Sequence, residues 1–195
     1  METKTVAIGV LMIALAGAGY YLGYQQSGER SGSVHMMGDG SMMSGDIDQH
    51  FITQMIPHHE GAIAMAKIAL ERSKRSEVIS LARGIIEAQE KEIRDMQSWH
   101  QSWFGSAPPA GGMGMMHMDG MEGNADVLKT IAAADFDREF IDQMIPHHEM
   151  AVVMAQMLRA STERGEMRVL ADNIDTSQTR EIEMMRAWRA AWYGR

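Results

Sequence analysis

Cysteine is absent from the chain. That absence excludes a disulfide framework, a zinc knuckle and any thiolate metal site, so soft-metal chemistry would fall to thioether and imidazole groups. A basic stripe is missing too. The formal net charge is −8, and with no run of Lys and Arg to neutralise phosphates the chain is not a nucleic-acid binder. Two enzyme signatures are also lacking. No glutamate is followed three residues later by histidine, the spacing that iron and manganese bundles use. Ile63 and Val152 stand where the second histidine of a His-Glu-x-x-His zinc site belongs.

Methionine is what the chain has in excess, with 21 residues. Several of them sit in polar, glycine-rich stretches where an exposed thioether gains nothing from solvent and is open to oxidation. Residues 26–45 carry Met36, Met37, Met42 and Met43 beside His35, and residues 106–126 carry Met113, Met115, Met116, Met118 and Met121 around His117. Both stretches read as linkers, either compositionally biased spacers or segments able to wrap a copper(I) ion.

Residues 6–24 form an almost unbroken apolar run without charge. At about 1.5 Å per residue it is just long enough to cross a bilayer core of about 30 Å. Tyr20, Tyr21 and Tyr24 gather at one end, as interfacial aromatics do, and Lys4 is the one basic residue ahead of it. The expectation for residues 1–25 is an N-terminal membrane anchor. The alternative is a cleaved signal segment, because Ala14-Leu15-Ala16 and Ala16-Gly17-Ala18 resemble small-residue cleavage sites. Either route carries the rest of the chain out of the cytoplasm, to a periplasmic location if anchored and to secretion if cleaved.

Two helical stretches follow, residues 46–105 and 127–195, and they are copies. Gln54-Met55-Ile56-Pro57-His58-His59-Glu60 recurs as Gln143-Met144-Ile145-Pro146-His147-His148-Glu149, and the same offset of 89 residues pairs Asp48 with Asp137, Phe51 with Phe140, Met65 with Met154, Gln89 with Gln178, Met96 with Met185 and Trp99 with Trp188. Each copy divides into two helices joined by a short turn near residues 73–76, with Asp46 or Asp48 as the first cap and Gly105 as the stop of the second helix. Two antiparallel hairpins make an all-α four-helix bundle.

Proline inside the first helix does not reset its phase. Asp48, Phe51, Ile52, Met55, His58, His59, Ala62, Met65 and Ala66 fall within one arc of about 140°. The expectation is therefore one helix kinked at Pro57, and likewise at Pro146. His58 and His59 flank Met55 on that inner arc, and Glu60 points outward. The facing stripe of the second helix offers Met96, with Gln89 available to orient a ligand histidine. Met55, His58, His59, Met65 and Met96, with their counterparts Met144, His147, His148, Met154 and Met185, are the candidate ligands. Thioether sulfur selects copper(I), with silver(I) as a surrogate, and imidazole suits copper in either state. No organic cofactor is expected.

The string Phe-Ile-x-Gln-Met-Ile-Pro-His-His-Glu, followed by Ala and Met one to two turns on, resembles the bacterial domain of unknown function 305 family over nearly everything after Asp46. The resemblance implies a ferritin-like helical bundle and an extracytoplasmic copper-binding protein linked to copper resistance. Carried over by position, it marks Met55, His58, His59, Met144, His147 and His148. His100 faces Arg189 under the offset and is not a shared ligand.

Three functions stay open at this point. The first is copper(I) binding for sequestration, transfer or resistance, with copper-export or copper-carrier proteins as partners. The second is a metal-dependent oxidase, for which the chain shows no base or electron acceptor beyond the ligands. The third is a metal-free helical interaction module. Compartment is the first thing to check: a reporter fused after Arg195 should be active only outside the cytoplasm, with the protein in the membrane fraction. A cytoplasmic reporter contradicts the reading, and a soluble product beginning near residue 17 or 19 selects the cleaved form.

Overall fold

The computed structural model describes residues 44–109 and 124–194, all helix and turn. Helix α1 is Ser44–Arg72, α2 Ser76–Phe104, α3 Ala125–Thr130, α4 Phe136–Ser161 and α5 Gly165–Tyr193. The apolar run at residues 6–24 lies outside the described residues. Among those described, no helix is long and apolar enough to cross a membrane.

α1 and α4 run unbroken through Pro57 and Pro146. A proline removes one backbone donor, but both flanks of each helix are held by burial. Phe51, Ile52 and Met55 precede Pro57 in the core, and Ala62, Met65 and Ala66 follow it. Asp48 does not cap α1, which begins four residues earlier. It lies inside the helix with 1% of its surface exposed. Gly105 ends α2 in the left-handed region at φ 74° and donates its N–H to the Gln101 carbonyl, a stop that glycine makes without steric cost. Its counterpart Gly194 ends α5 with φ −76°. The short α3, capped by the Asn124 side chain accepting from Val127 N–H at 3.1 Å, was not separable in the sequence from α4.

α1 pairs with α2, α4 with α5, and α1 packs against α4. The core divides into two apolar clusters. One takes Ala62, Met65, Ala66 and Ala69 of α1 with Phe136, Phe140, Ile141 and Met144 of α4. The other takes Phe51, Ile52, Met55 and Ile56 of α1 with Ala151, Ala155 and Leu158 of α4. The N-terminal half of each helix thus meets the C-terminal half of the other, so α1 and α4 cross antiparallel. The 89-residue offset exchanges the clusters: Phe51 for Phe140, Met55 for Met144, Met96 for Met185. The bundle has an internal pseudo-twofold axis.

Reciprocal clamps join the two units. In each interhelix turn a buried hydroxyl accepts the backbone N–H two residues on, Ser73 from Arg75 at 3.2 Å and Thr162 from Arg164 at 3.1 Å, a turn these side chains favour. The arginine so placed reaches the other unit. Arg75 meets Asp137 at 3.4 Å and lies 4.1 Å above the Trp192 ring; Arg164 meets Asp48 at 3.2 Å and lies 4.2 Å above Trp103. Burial pushes the Asp48 carboxyl above its usual range, opposed by Thr162 and Arg164.

Removing one partner of a buried pair leaves the other charge stranded, at a cost of several kcal/mol, reduced where a partner touches water. Asp48 is 1% exposed and Asp137 16% at the side chain. Urea unfolding should therefore show Arg164→Ala losing about 2–3 kcal/mol and Arg75→Ala about 1 kcal/mol. Asp48→Asn should recover part of the Arg164→Ala loss. Equal, negligible losses would mean that the clamps do not hold the units together.

Candidate metal centre

Between the two apolar clusters lies a layer of four histidines. His58 and His59 follow Met55 and Ile56 of one cluster and precede Ala62 of the other; His147 and His148 sit equivalently on α4. His58, His59, His147 and His148 are 2, 0, 3 and 0% exposed. Because α1 and α4 cross antiparallel, the layer falls on the pseudo-twofold. There the His58 and His147 rings meet with centroids 3.7 Å apart and planes tilted by 40°. His59 and His148 flank them, with centroids 6.3 and 6.2 Å from their sequence neighbours.

Each outer ring is held by a carboxylate. His59 Nε2–H donates to Glu92 at 2.6 Å, and His148 Nε2–H to Glu181 at 2.7 Å. This bond leaves Nδ1 as the free nitrogen of each ring. Glu92 and Glu181 were missed in the sequence, where Gln89 and Gln178 were the expected orienting groups. Instead both glutamine Oε1 atoms are buried without a partner. The signal was present: the offset pairs the two glutamates, and each sits at the edge of the stripe between the glutamine and Met96 or Met185.

Six buried imidazole nitrogens form no hydrogen bond of normal geometry: both of His58, both of His147, and Nδ1 of His59 and His148, the inner rings sensing only each other's backbone as a minor opposing contact. Buried polar atoms are normally paired, and leaving one unpaired costs about 1–3 kcal/mol. The inner rings are also kept neutral. Burial, then the neighbouring imidazoles, lowers His58 from its ordinary 6.5 to about 3, and the same causes in the same order push His147 well down. A neutral ring with an unshared lone pair is the ligand form of histidine.

The candidate methionines are split between the clusters. Met55 and Met96 lie in one, with Met154 packed half-buried against it; Met65, Met144 and Met185 lie in the other. Met55, Met65, Met96, Met144 and Met185 are fully buried. Among the described residues, no three His, Asp or Glu side chains are already gathered closely enough to hold an ion by themselves. The fit to a metal therefore rests on the orphaned nitrogens together with thioethers. Glu60 is exposed, and Glu149 pairs with Arg186 at the surface. His100 is buried but satisfied, donating Nδ1–H to the Ser106 carbonyl at 2.7 Å. The linker candidates His35, Met36, Met37, Met42, Met43, Met113, Met115, Met116, His117, Met118 and Met121 lie outside the described residues.

Residues 48–192 match the model of the family described as "Domain of unknown function (DUF305)". Among solved structures, CopM in the Cu(II)-bound form is 50% identical, with a TM-score of 0.70 over 75% of this chain and 97% of that one. The Cu(I)-bound form of CopM gives 48% identity and 0.67 over 75% and 98%. A DUF305 fragment from Deinococcus radiodurans is 29% identical, with a TM-score of 0.62 over 72% and 93%. An uncharacterised protein of Acanthamoeba polyphaga mimivirus is 41% identical over 51 residues; the match spans 26% of this chain and 34% of that curated relative.

The lowered histidines make a pH prediction. An unfolded chain binds a proton at each of these rings near pH 6.5, whereas the folded chain refuses it until about pH 3 at His58. Stability of the metal-free protein is thus fully present above pH 6.5 and lost as pH falls below it. Two such rings give a slope approaching about 2.7 kcal/mol per pH unit. Urea midpoints between pH 6.5 and 5 should follow this, and His58→Leu/His147→Leu should flatten it. An unchanged slope would show that these rings are not what resists protonation.

Proposed function

The chain belongs to the DUF305 family, and from that premise and the histidine layer we propose that it is an extracytoplasmic copper(I)-binding protein that sequesters copper or hands it on. The observation that carries this reading is the set of six unpartnered, buried imidazole nitrogens on the pseudo-twofold. Each neutral ring keeps one N–H and one lone pair, so four of the six, one per ring, are orphaned acceptors; they cost stability in the empty fold, and an ion that accepts their lone pairs removes that cost. The neutral state of His58 and His147 means a cation need not displace a proton from these rings to bind, whereas ligands that must first deprotonate make affinity pH-dependent.

The ligand types set the cargo. Imidazole accepts copper in either oxidation state, and the buried thioethers of Met55, Met96, Met144 and Met185 bias the site toward copper(I) and silver(I). The relative CopM has been solved in Cu(I)-, Cu(II)- and Ag-bound forms, which supports the same class of ion here. Glu92 and Glu181 act as positioning residues: a carboxylate on Nε2–H fixes the ring and raises the basicity of Nδ1. Handing copper on requires a partner with its own soft ligands, a copper exporter or carrier. In this reading the layer holds and releases the ion rather than turning over a substrate.

The test uses a chain whose nine linker methionines, Met36, Met37, Met42, Met43, Met113, Met115, Met116, Met118 and Met121, are replaced by serine. In competition with a copper(I) chelator, replacing His58, His59, His147 and His148 with alanine should abolish tight binding. Glu92→Gln/Glu181→Gln should weaken it roughly 10–100-fold, and Glu60→Gln/Glu149→Gln should leave it unchanged. The four-histidine variant should stay helical, because the apolar clusters on either side are intact. Copper(I) held as tightly by that variant as by its parent would place the site elsewhere.

A further inference from the structure

The large apolar side chains that α4 leaves in solvent are Met150, Val153 and Met157, 37, 51 and 62% exposed. Scattered apolar side chains on a surface are ordinary, but these share one face. With half-buried Met154, the three methionines have the spacing Met-x-x-x-Met-x-x-Met, which puts them within about 60° of arc on successive turns. Rises of about 1.5 Å per residue separate neighbours by about 6 and 4.5 Å along the axis. A methionine side chain has three rotatable bonds, enough for three thioethers to turn toward one point.

The two units differ here. Gly61 and Ile68 stand in α1 where Met150 and Met157 stand in α4. Met65, the counterpart of Met154, is fully buried in the cluster that includes Leu128 of α3, and Arg72 of α1 donates to the Leu128 carbonyl and, at 2.6 Å, to that of the C-cap Ile131. At these three positions the first unit therefore carries a single thioether under a cover, and the second carries three in reach of solvent. Ion pairs and hydrogen bonds from α4 to α5, Glu149 to Arg186, Gln156 to Asp175 and Arg159 to Asp172, leave from the other side of the helix. No cationic side chain stands within the ladder itself.

We propose that Met150, Met154 and Met157 form a second, surface site for a soft monovalent cation, copper(I) or silver(I), separate from the histidine layer. Three neutral thioethers match such an ion by softness and discriminate against zinc, magnesium and calcium, which prefer nitrogen or oxygen donors. Met154 belongs to both environments: it lies at the edge of the ladder and packs against the cluster that holds Met55 and Met96. The ladder is thus the surface end of a run of thioethers leading inward. That role as a loading site rests on the copper reading of the histidine layer; the ladder's own affinity for the ion does not.

The experiment uses the full chain lacking linker methionines, with methionine methyl groups labelled with carbon-13, titrated with silver nitrate. The methyl resonances of Met150, Met154 and Met157 should shift together. Met150→Leu/Met157→Leu, a swap of similar volume that cores and surfaces tolerate, should abolish the Met154 shift, lower the silver stoichiometry by one ion per chain and leave helicity unchanged. The four-histidine variant should keep the ladder's shift, so failure of the histidine layer is seen separately. Methyl resonances that stay fixed while silver binds, or an unchanged stoichiometry in the double variant, overturn the proposal. So does a parent chain that shows no silver shift but self-associates through this face, the association being lost in the double variant, which would make the stripe an interface between copies.

Discussion

Desolvation of four imidazoles on one pseudo-twofold is the constraint from which the rest of the structure follows. A buried polar ring needs a partner, and only two of the eight ring nitrogens in the layer have one, the Nε2 atoms facing Glu92 and Glu181. The two apolar clusters above and below must therefore stabilise the fold strongly enough to hold an unsatisfied layer between them. Fully buried Phe136, Phe140, Ile52, Ile141 and the inner methionines do so, each at roughly 1.5–3 kcal/mol of burial. The layer is thus a local deficit in the empty fold that the surrounding burial offsets.

Sequence duplication is what makes the layer possible with so few residues. One His-His pair on one helix offers rings to one side. Two copies crossing antiparallel bring His58 and His147 into contact and place a carboxylate-held ring on each flank. The crossing is kept by Arg75 and Arg164, each projected from an interhelix turn into an Asp–Trp pocket of the other unit. Local turn chemistry at Ser73 and Thr162 thus reaches the centre of the bundle through the relative placement of the two hairpins.

Much of this was legible in the sequence for physical reasons. Helical phase survives an interior proline, so α1 and α4 were readable as single helices with His58, His59, His147 and His148 on the inner arc. The unslipped offset exposed the equivalence of Met55 with Met144 and Met96 with Met185. Gly105 marked the end of α2 because a left-handed residue was needed there. Other features were hidden. Periodicity states which side of a helix is inward, but not which copy lies across from it, so the contact of His58 with His147 could not be read. Charge at a stripe edge suggests solvent, which concealed Glu92 and Glu181 as the groups that orient the outer rings. Asp48 looked like a cap because it stands near a helix start, whereas its buried carboxylate answers Arg164 from the fold's other half. The short α3 lacks a full amphipathic period, and its effect, covering Met65 while Met154 stays half-buried, belongs to packing alone.

The proposed function requires copper to be held by the histidine layer with help from thioethers. X-ray absorption of the chain without linker methionines, loaded with one equivalent of copper(I), addresses that directly. Nitrogen and sulfur scatterers together, with the multiple-scattering pattern of imidazole lost in the four-histidine variant, is the predicted result. A copper environment of sulfur alone, unaltered when the histidines are replaced, would contradict it.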